Sequence, residues 1–167
     1  MSRIASTPAR LVLALALSVG LAPACSMFDT KPEPVWIVDE LPAPSESVLW
    51  KVVLRSLDKE GFPLGTGLDP ATRTATTGWF HSLAPFRRKG YRERAIVKIA
   101  MAAPDRYDVV VRVEHEINDD LARPMDLQYA RWEPGEDNAE RARIVLQRIR
   151  AWLAEDIEVG PEPRPRL

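Results

Sequence analysis

Two neighbouring segments with alternating apolar residues constrain the fold of this 167-residue chain most strongly. The first runs from Tyr91 to Ala102 and the second from Tyr107 to Ile117, with Pro104-Asp105 between them. An apolar side chain at every second position is typical of a strand with one buried face. Pro and Asp favour a turn, so the two segments predict an antiparallel hairpin.

One register of this hairpin satisfies both of its faces. Pairing Met101 with Tyr107 brings apolar residues together on one face and opposite charges together on the other. The further pairs in this register are Val97 with Val111, Arg94 with Glu114, and Arg92 with Glu116.

An amphipathic helix is predicted on either side of the strand-rich region. Ser45 to Glu60 has apolar residues on one helical face, and Ser45 is a suitable N-cap. Asp137 to Glu155 has the same periodicity, and Asp137 and Glu140 have the spacing of a capping box. The arginines of this second helix are predicted to stay outside its apolar stripe; they are Arg141, Arg143, Arg148 and Arg150.

The remaining strands are predicted from shorter segments at Phe62–Leu64, Arg73–Phe80 and Met125–Trp132, and Gly78 is expected to interrupt the second of them. A sheet with one apolar face needs a cover, which two amphipathic helices supply. The prediction is therefore an α+β fold of two layers. An N-terminal and a C-terminal helix lie on one face of an antiparallel sheet of four to five strands.

The first 24 residues have the three parts of a secretory signal. Arg3 and Arg10 give a positive start, residues 11–21 are almost all apolar, and Ala22-Pro23-Ala24 offers small residues for cleavage. The apolar run is about half of the ~20 residues that a membrane-spanning helix needs, so a cleaved signal is favoured over an anchor helix.

Charge argues against a nucleic acid partner. Cleavage removes two arginines and no acids, which leaves 21 basic and 24 acidic residues. Binding to nucleic acid depends on a strongly basic face, and this composition does not provide one.

The only cysteine, Cys25, directly follows the predicted cleavage site, so the chain has no second cysteine for an internal disulfide. The segment from Leu21 to Cys25 resembles the lipobox of bacterial lipoproteins, with Ala22 and Pro23 departing from the usual residues. This resemblance implies that Cys25 is acylated, with chains such as palmitate. Each buried CH₂ of such a chain contributes ~0.8 kcal/mol to membrane binding. The alternative is ordinary cleavage at the same bond, which leaves a free thiol.

These features divide the chain into four parts. Residues 1–24 are a signal peptide, residues 25–44 a lipid-anchored Pro-rich linker, residues 45–157 a single α+β domain, and residues 158–167 a disordered tail. Within the linker, the apolar patch Val35-Trp36-Ile37-Val38 is expected to dock on its own domain, and docking on a partner is the alternative.

The sequence contains no complete set of catalytic or metal-binding residues. His115-Glu116 lacks the second histidine of a zinc-protease motif, and His115 lies on the apolar face of its strand, where a buried or rim histidine is the usual interpretation. The nearby carboxylates alternate with arginines, as on a solvated, paired face; they are Glu114, Glu116, Asp119 and Asp120. No enzyme activity, metal or cofactor is predicted.

A basic loop at residues 86–94 is the one candidate ligand site. Its cations are suited to the phosphates of anionic lipid headgroups. The candidate residues are Arg87, Arg88, Lys89 and Arg92. The alternative is a solvated loop whose arginines pair with Glu114 and Glu116.

Part of the chain resembles the helix-grip domains of BamC-type envelope lipoproteins. The motifs that carry this resemblance are Val48-Leu49-Trp50, Gly61-Phe62-Pro63-Leu64, Asp69-Pro70-Ala71-Thr72 and Thr76-Thr77-Gly78-Trp79. They cover about half of the chain that follows the signal peptide, and one domain stands where BamC has two. The resemblance implies a non-enzymatic lipoprotein that binds other envelope components.

Two functions remain open, both on the periplasmic side of a bacterial cell envelope. The first is a lipid-anchored interaction module with an envelope protein partner, in envelope assembly or a transport complex. The second is a binder of a small ligand or an anionic lipid headgroup. An apolar cavity between helices and sheet would favour the second, and an open sheet edge the first. Ser26 after the cysteine gives a slight preference for the outer membrane over the inner.

Overall fold

The computed structural model describes residues 31–65, 67–83 and 89–158, with side chains as far as residue 155. It has two helices, α1 (Glu46–Lys59) and α2 (Ala139–Glu158). The strands are β1 (Ile37–Pro42), β2 (Gly67–Asp69), β3 (Thr74–Thr76), β4 (Phe80–Ser82), β5 (Tyr91–Ala103), β6 (Arg106–Asn118) and β7 (Trp132–Pro134). The signal peptide, Cys25, Arg87, Arg88 and residues 159–167 of the predicted tail lie outside the described residues.

The hairpin β5–β6 is the centre of the sheet, and its predicted register is confirmed. Met101 pairs with Tyr107, and the other three predicted pairs are also formed. Asp105 in the turn has a positive φ of 57°, a conformation that Asp tolerates better than most residues. Every strand pair is antiparallel, which confirms the predicted α+β class.

The prediction of four to five strands is corrected to seven in the described part of the chain, because β5 and β6 are each flanked by two short strands placed end to end. Along β5 lie β3 and β4, along β6 lie β1 and β7, and β2 adds to β3. The break between β3 and β4 falls at Thr77, whose side-chain Oγ1 accepts the Ala95 N–H at 2.9 Å. The break includes Gly78, where the strand from Arg73 to Phe80 was predicted to be interrupted.

Two further strand predictions are corrected. The segment Phe62–Leu64 is not a strand; Phe62 instead buries its ring in the core, where it is 1% exposed. The segment Met125–Trp132 consists mainly of turns, and only its last residue belongs to a strand, β7.

The predicted linker extends too far, because β1 belongs to the sheet. Ile37–Pro42 pairs with the first half of β6, so the apolar patch docks on its own domain as expected. Proline cannot donate a backbone hydrogen bond, but Pro42 ends the strand, and β1 is an edge strand in the described order. The prolines therefore border the strand without interrupting it.

The helices have different caps. In α1 the Ser45 Oγ accepts the Val48 N–H at 3.3 Å, which confirms the predicted cap. In α2 the cap is Asn138, whose Oδ1 accepts the Arg141 N–H at 3.0 Å. The predicted capping box at Asp137 is wrong, because that carboxylate pairs with Arg112 at 2.6 Å instead.

Only one face of the sheet is packed against the helices; we call it the inner face. Side chains from this face and from both helices form one apolar core, which includes Leu49, Val53, Leu57, Val97, Val111, Val113, Val145 and Ile149. The opposite face, which we call the outer face, carries the charged pairs of the hairpin. Neither helix of the described chain is long and apolar enough to cross a lipid bilayer.

Candidate functional site

One end of the inner face is polar, and Glu93 is its central residue. On β5 the side chain of Glu93 is in phase with Ala95 and Val97, and it is only 2% exposed. A carboxylate without partners in such a position would be destabilising by several kcal/mol (order of magnitude). The surrounding residues therefore decide whether the fold tolerates it.

Three side chains donate hydrogen bonds to Glu93. Its Oε1 accepts from His115 Nδ1 at 3.0 Å and from Asn138 Nδ2 at 2.8 Å. Its Oε2 accepts from Arg141. The donors come from β6 and from the start of α2, so Glu93 joins the sheet to this helix.

These contacts determine the charge of Glu93. Burial by itself would raise the pKa of Glu93, but the hydrogen bonds from Asn138, Arg141 and His115 outweigh it and lower the pKa below 4.5. Glu93 is therefore ionised at neutral pH. Because a carboxylate only accepts hydrogen bonds, His115 Nδ1 carries a proton and donates it to Glu93.

Arg141 lies inside the fold, which corrects the prediction that it stays outside the apolar stripe. Its guanidinium carbon lies 4.3 Å from the ring centroid of Phe62 and 4.8 Å from that of Phe80. Its Nη2 donates to the backbone oxygen of Glu60 at 2.8 Å. Arg141 thus connects Glu93 to the segment that follows α1.

A pocket of about 490 Å³ opens beside this cluster. The described residues that line it are Lys89, Tyr91, Glu93, His115, Ile117 and Asn138. The volume lies within the roughly 300–1,000 Å³ that small-molecule sites span. We call it the Glu93 pocket.

The wall of the Glu93 pocket combines apolar surface with polar groups in fixed positions. The rings of Tyr91 and His115 lie 5.2 Å apart, centroid to centroid, and Ile117 adds an aliphatic side chain. Lys89 donates to Asp119 at 2.5 Å, and this hydrogen bond raises the pKa of Lys89. The Lys89 ammonium group is therefore held in the wall of the pocket by Asp119.

Gly135 packs closely against the ring of His115. A Cβ at this glycine would lie 2.9 Å from His115 Cδ2, closer than real Cβ contacts allow. The Gly135 N–H also donates to the His115 backbone oxygen at 2.9 Å. Glu93 and Gly135 together fix the imidazole, and among the described residues its Nε2 has no hydrogen-bond partner.

The predicted basic loop does not form a single cluster in the described residues. Lys89 lines the Glu93 pocket, whereas Arg92 lies on the outer face. Arg92 pairs with Glu116 at 2.6 Å, and its guanidinium carbon lies 4.3 Å from the Trp79 ring centroid. The ion pairs that the alternative interpretation expected, Arg92–Glu116 and Arg94–Glu114, are both formed.

The sequence interpretation missed Glu93, although the pattern contains a signal. Glu93 occupies an inward position of β5, where the alternation calls for an apolar residue. A charged residue in phase with buried neighbours indicates a buried pair or a site. His115 was interpreted as a buried or rim histidine, and the structure places it at the rim, with 23% of its side chain exposed. Within the described ranges, no group of three or more His, Cys, Asp or Glu residues is arranged to hold a metal ion.

A scan against protein-family models found no match for this chain, and a search of curated proteins found no relative. The resemblance to BamC-type lipoproteins therefore stays a prediction, and the function has to be argued from the site.

Proposed function

We propose that this protein is a lipid-anchored, non-enzymatic binding protein on the periplasmic side of a bacterial envelope, and that it holds a small amphipathic ligand in the Glu93 pocket. The observation that carries this proposal is a cavity of about 490 Å³ next to a carboxylate that is 2% exposed. Sites for small molecules typically combine an apolar wall with a few fixed polar groups, as this pocket does.

The proposed ligand follows from the groups on the wall. Tyr91 and Ile117 suit an apolar body, such as a short acyl chain. His115 donates through Nδ1 to Glu93, so Nε2 is left to form a hydrogen bond with a ligand hydroxyl or amide. Lys89 at the opening suits a nearby negative charge, although Asp119 shares it. The expected ligand has an apolar part, a hydroxyl or amide that hydrogen-bonds with His115, and an anionic group.

The pocket is prepared for binding before a ligand arrives. Glu93 already has its three donors, and Gly135 fixes the ring of His115. Binding therefore does not have to order these side chains, which lowers the entropic cost of association. A fixed polar end of this kind favours recognition of one ligand orientation.

The test is a titration followed by NMR, with the mature protein and lysophosphatidylglycerol below its micelle concentration as the probe. This molecule has an acyl chain, a phosphate and glycerol hydroxyls. We expect chemical-shift changes at Tyr91, His115 and Ile117 that saturate. In His115→Gln, binding should weaken about three- to tenfold, since one hydrogen bond contributes about 0.5–1.5 kcal/mol.

His81→Gln is the matched control, because His81 is exposed on β4 and does not line the pocket. It should bind like the wild type. Shifts that do not saturate, or equal weakening in both histidine variants, would contradict the proposal.

A second candidate function is docking of an envelope protein on β1, which is an edge strand in the described order. A groove of about 260 Å³ lies between β1 and α2, with Val38 and Leu146 among its lining residues. An unpaired edge can accept an added strand from a partner, and this suits an interaction module of the helix-grip type that the BamC resemblance implies. A photocrosslinker at Gln147, which is exposed and lines this groove, tests this function when it is compared with one at Leu121 and with a Cys25→Ala form. Equal crosslinking at both positions would contradict it.

A further inference from the structure

Three tryptophans lie against the outer face of the sheet and stack with its cations. The Arg92 guanidinium carbon is 4.3 Å from the ring centroid of Trp79 and 4.9 Å from that of Trp132. The Lys98 Nζ is 4.6 Å from the centroid of Trp36. All three tryptophans are partly exposed, so this face presents aromatic and cationic groups side by side.

The chain enters the domain on this same face. Lys31 and Pro32 line a small cleft together with Arg94, Arg112 and Glu114, which point outward from β5 and β6. The Val35 N–H then donates to Asp137 Oδ2 at 2.7 Å. The segment that leads back to Cys25 therefore starts at the outer face.

The length of that segment limits how far the domain can lie from an anchor. Six residue steps separate Cys25 from Lys31. Even a fully extended chain of six residues spans at most about 20 Å. An acylated Cys25 would thus hold the outer face within about 20 Å of the bilayer surface.

We propose that the outer face lies on the surface of the phospholipid bilayer, with Trp36, Trp79 and Trp132 at the headgroup level. This inference rests on the anchor part of the proposed function. The occupant is the membrane itself, because the chain leads from this face to the acylation site.

The chemistry of the face fits that position. Tryptophan and arginine are enriched where a surface meets lipid headgroups, since each combines an apolar body with a polar group. Val38 is 59% exposed and lies on the same face, opposite Val110 of β6. The charges near the tryptophans almost balance; they are Arg92, Arg94, Lys98 and Arg112 against Glu114, Glu116 and Asp137. Contact with lipid should therefore depend little on salt.

The experiment uses the acylated mature protein in vesicles of phosphatidylethanolamine and phosphatidylglycerol with brominated acyl chains, which quench nearby tryptophans. We expect quenching in the wild type that persists at high salt and decreases in Trp79→Phe and in Trp132→Phe. Trp152→Phe is the matched control, because Trp152 also stacks on an arginine, Arg55 at 4.4 Å, but lies on the helix side. It should leave the lipid-dependent quenching unchanged.

A second measurement does not depend on replacing a tryptophan. Val38→Cys and Ile144→Cys place a thiol at an exposed position of the outer face and of α2, respectively. Labelled with an environment-sensitive dye, only the Val38→Cys protein should report an apolar environment on vesicles. Equal signals from the two positions would overturn the proposed orientation.

Cosedimentation with the same vesicles separates the two proposals. Acylated protein that pellets but shows no loss of quenching in Trp79→Phe or Trp132→Phe keeps its anchor and overturns the docked face. Acylated protein that fails to pellet overturns the anchor and, with it, the docked face. Ligand binding in the Glu93 pocket is measured separately and is not affected by either result.

Discussion

The inner face of the hairpin β5–β6 has two parts that differ in chemistry although they share strands and register. From Ala95 to Ile99, its inward side chains are apolar and at most 6% exposed, and we call this the dry part. The next inward-facing pair along the hairpin is Glu93 opposite His115, and we call this the polar part. The difference follows the position of α2, whose N-cap Asn138 and first-turn residue Arg141 donate hydrogen bonds to Glu93.

A buried ion pair such as that of Glu93 is not a general requirement for a stable sheet face. Replacing a buried ion pair with apolar residues of similar volume is often neutral or stabilising by about 1–4 kcal/mol, whereas removing one partner is destabilising. The dry part stabilises the fold by removing apolar side chains from water. The polar part is tolerated because both carboxylate oxygens of Glu93 accept hydrogen bonds. A polar cluster next to a pocket is therefore the better candidate for function.

The largest effect is expected from removing the buried carboxylate. Among the described residues, Glu93→Ala leaves Arg141 with only the Glu60 backbone oxygen as a hydrogen-bond acceptor. The free energy of unfolding should therefore fall by about 3 kcal/mol. Urea denaturation measures this change. A fall below about 1 kcal/mol would mean that solvent already compensates Arg141 and that the two parts of the inner face differ little.

A smaller effect is expected in the dry part. Val111 is fully buried, and Val111→Ala removes two methyl groups and leaves a cavity, which should lower the free energy of unfolding by about 2 kcal/mol. The affinity of the Val111→Ala protein for lysophosphatidylglycerol should match that of the wild type. A loss of binding in Val111→Ala would show that the dry part and the pocket are coupled.

The pH dependence distinguishes the two parts further. The folded state lowers the pKa of Glu93, so its stabilising contribution is present above the unfolded value near 4.5 and is lost as pH falls through the folded value. The difference in unfolding free energy between wild type and Glu93→Gln should be about 1–2 kcal/mol near neutral pH and decrease below pH 4.5. Val111→Ala should show no such decrease. A Glu93→Gln difference that grows in acid would contradict the assigned charge.

The smallest effect is expected on the outer face. Arg94 pairs with Glu114, but 35% of the Arg94 side chain is exposed, and Glu114 keeps a second partner in Arg112 at 3.0 Å. Arg94→Gln should therefore lower the free energy of unfolding by only about 0.5 kcal/mol in thermal or urea denaturation. A loss as large as that of Glu93→Ala would mean that the outer pairs also stabilise the fold.

Much of the architecture could be predicted from local patterns. The register of β5 and β6 follows from alternation and charge on two strands joined by a short turn, so every pair was correct. The Ser45 cap and the buried stripe of α1 follow from contacts within one helix. Strand β1 could not be predicted, because its partner β6 lies about 70 residues further along the chain and its own prolines resemble those of a linker.

The candidate site depended on tertiary structure for the same physical reason. By itself, the sequence determined the helical stripes and the signal-like start, because these depend on neighbours close along the chain. It also determined the hairpin, because two alternating segments joined by a short turn have few possible registers. Only the fold decided that Asn138, not Asp137, caps α2 and that Arg141 turns inward to Glu93. Those choices depend on which partners from distant segments are close enough to satisfy a buried charge, and no local pattern contains that information.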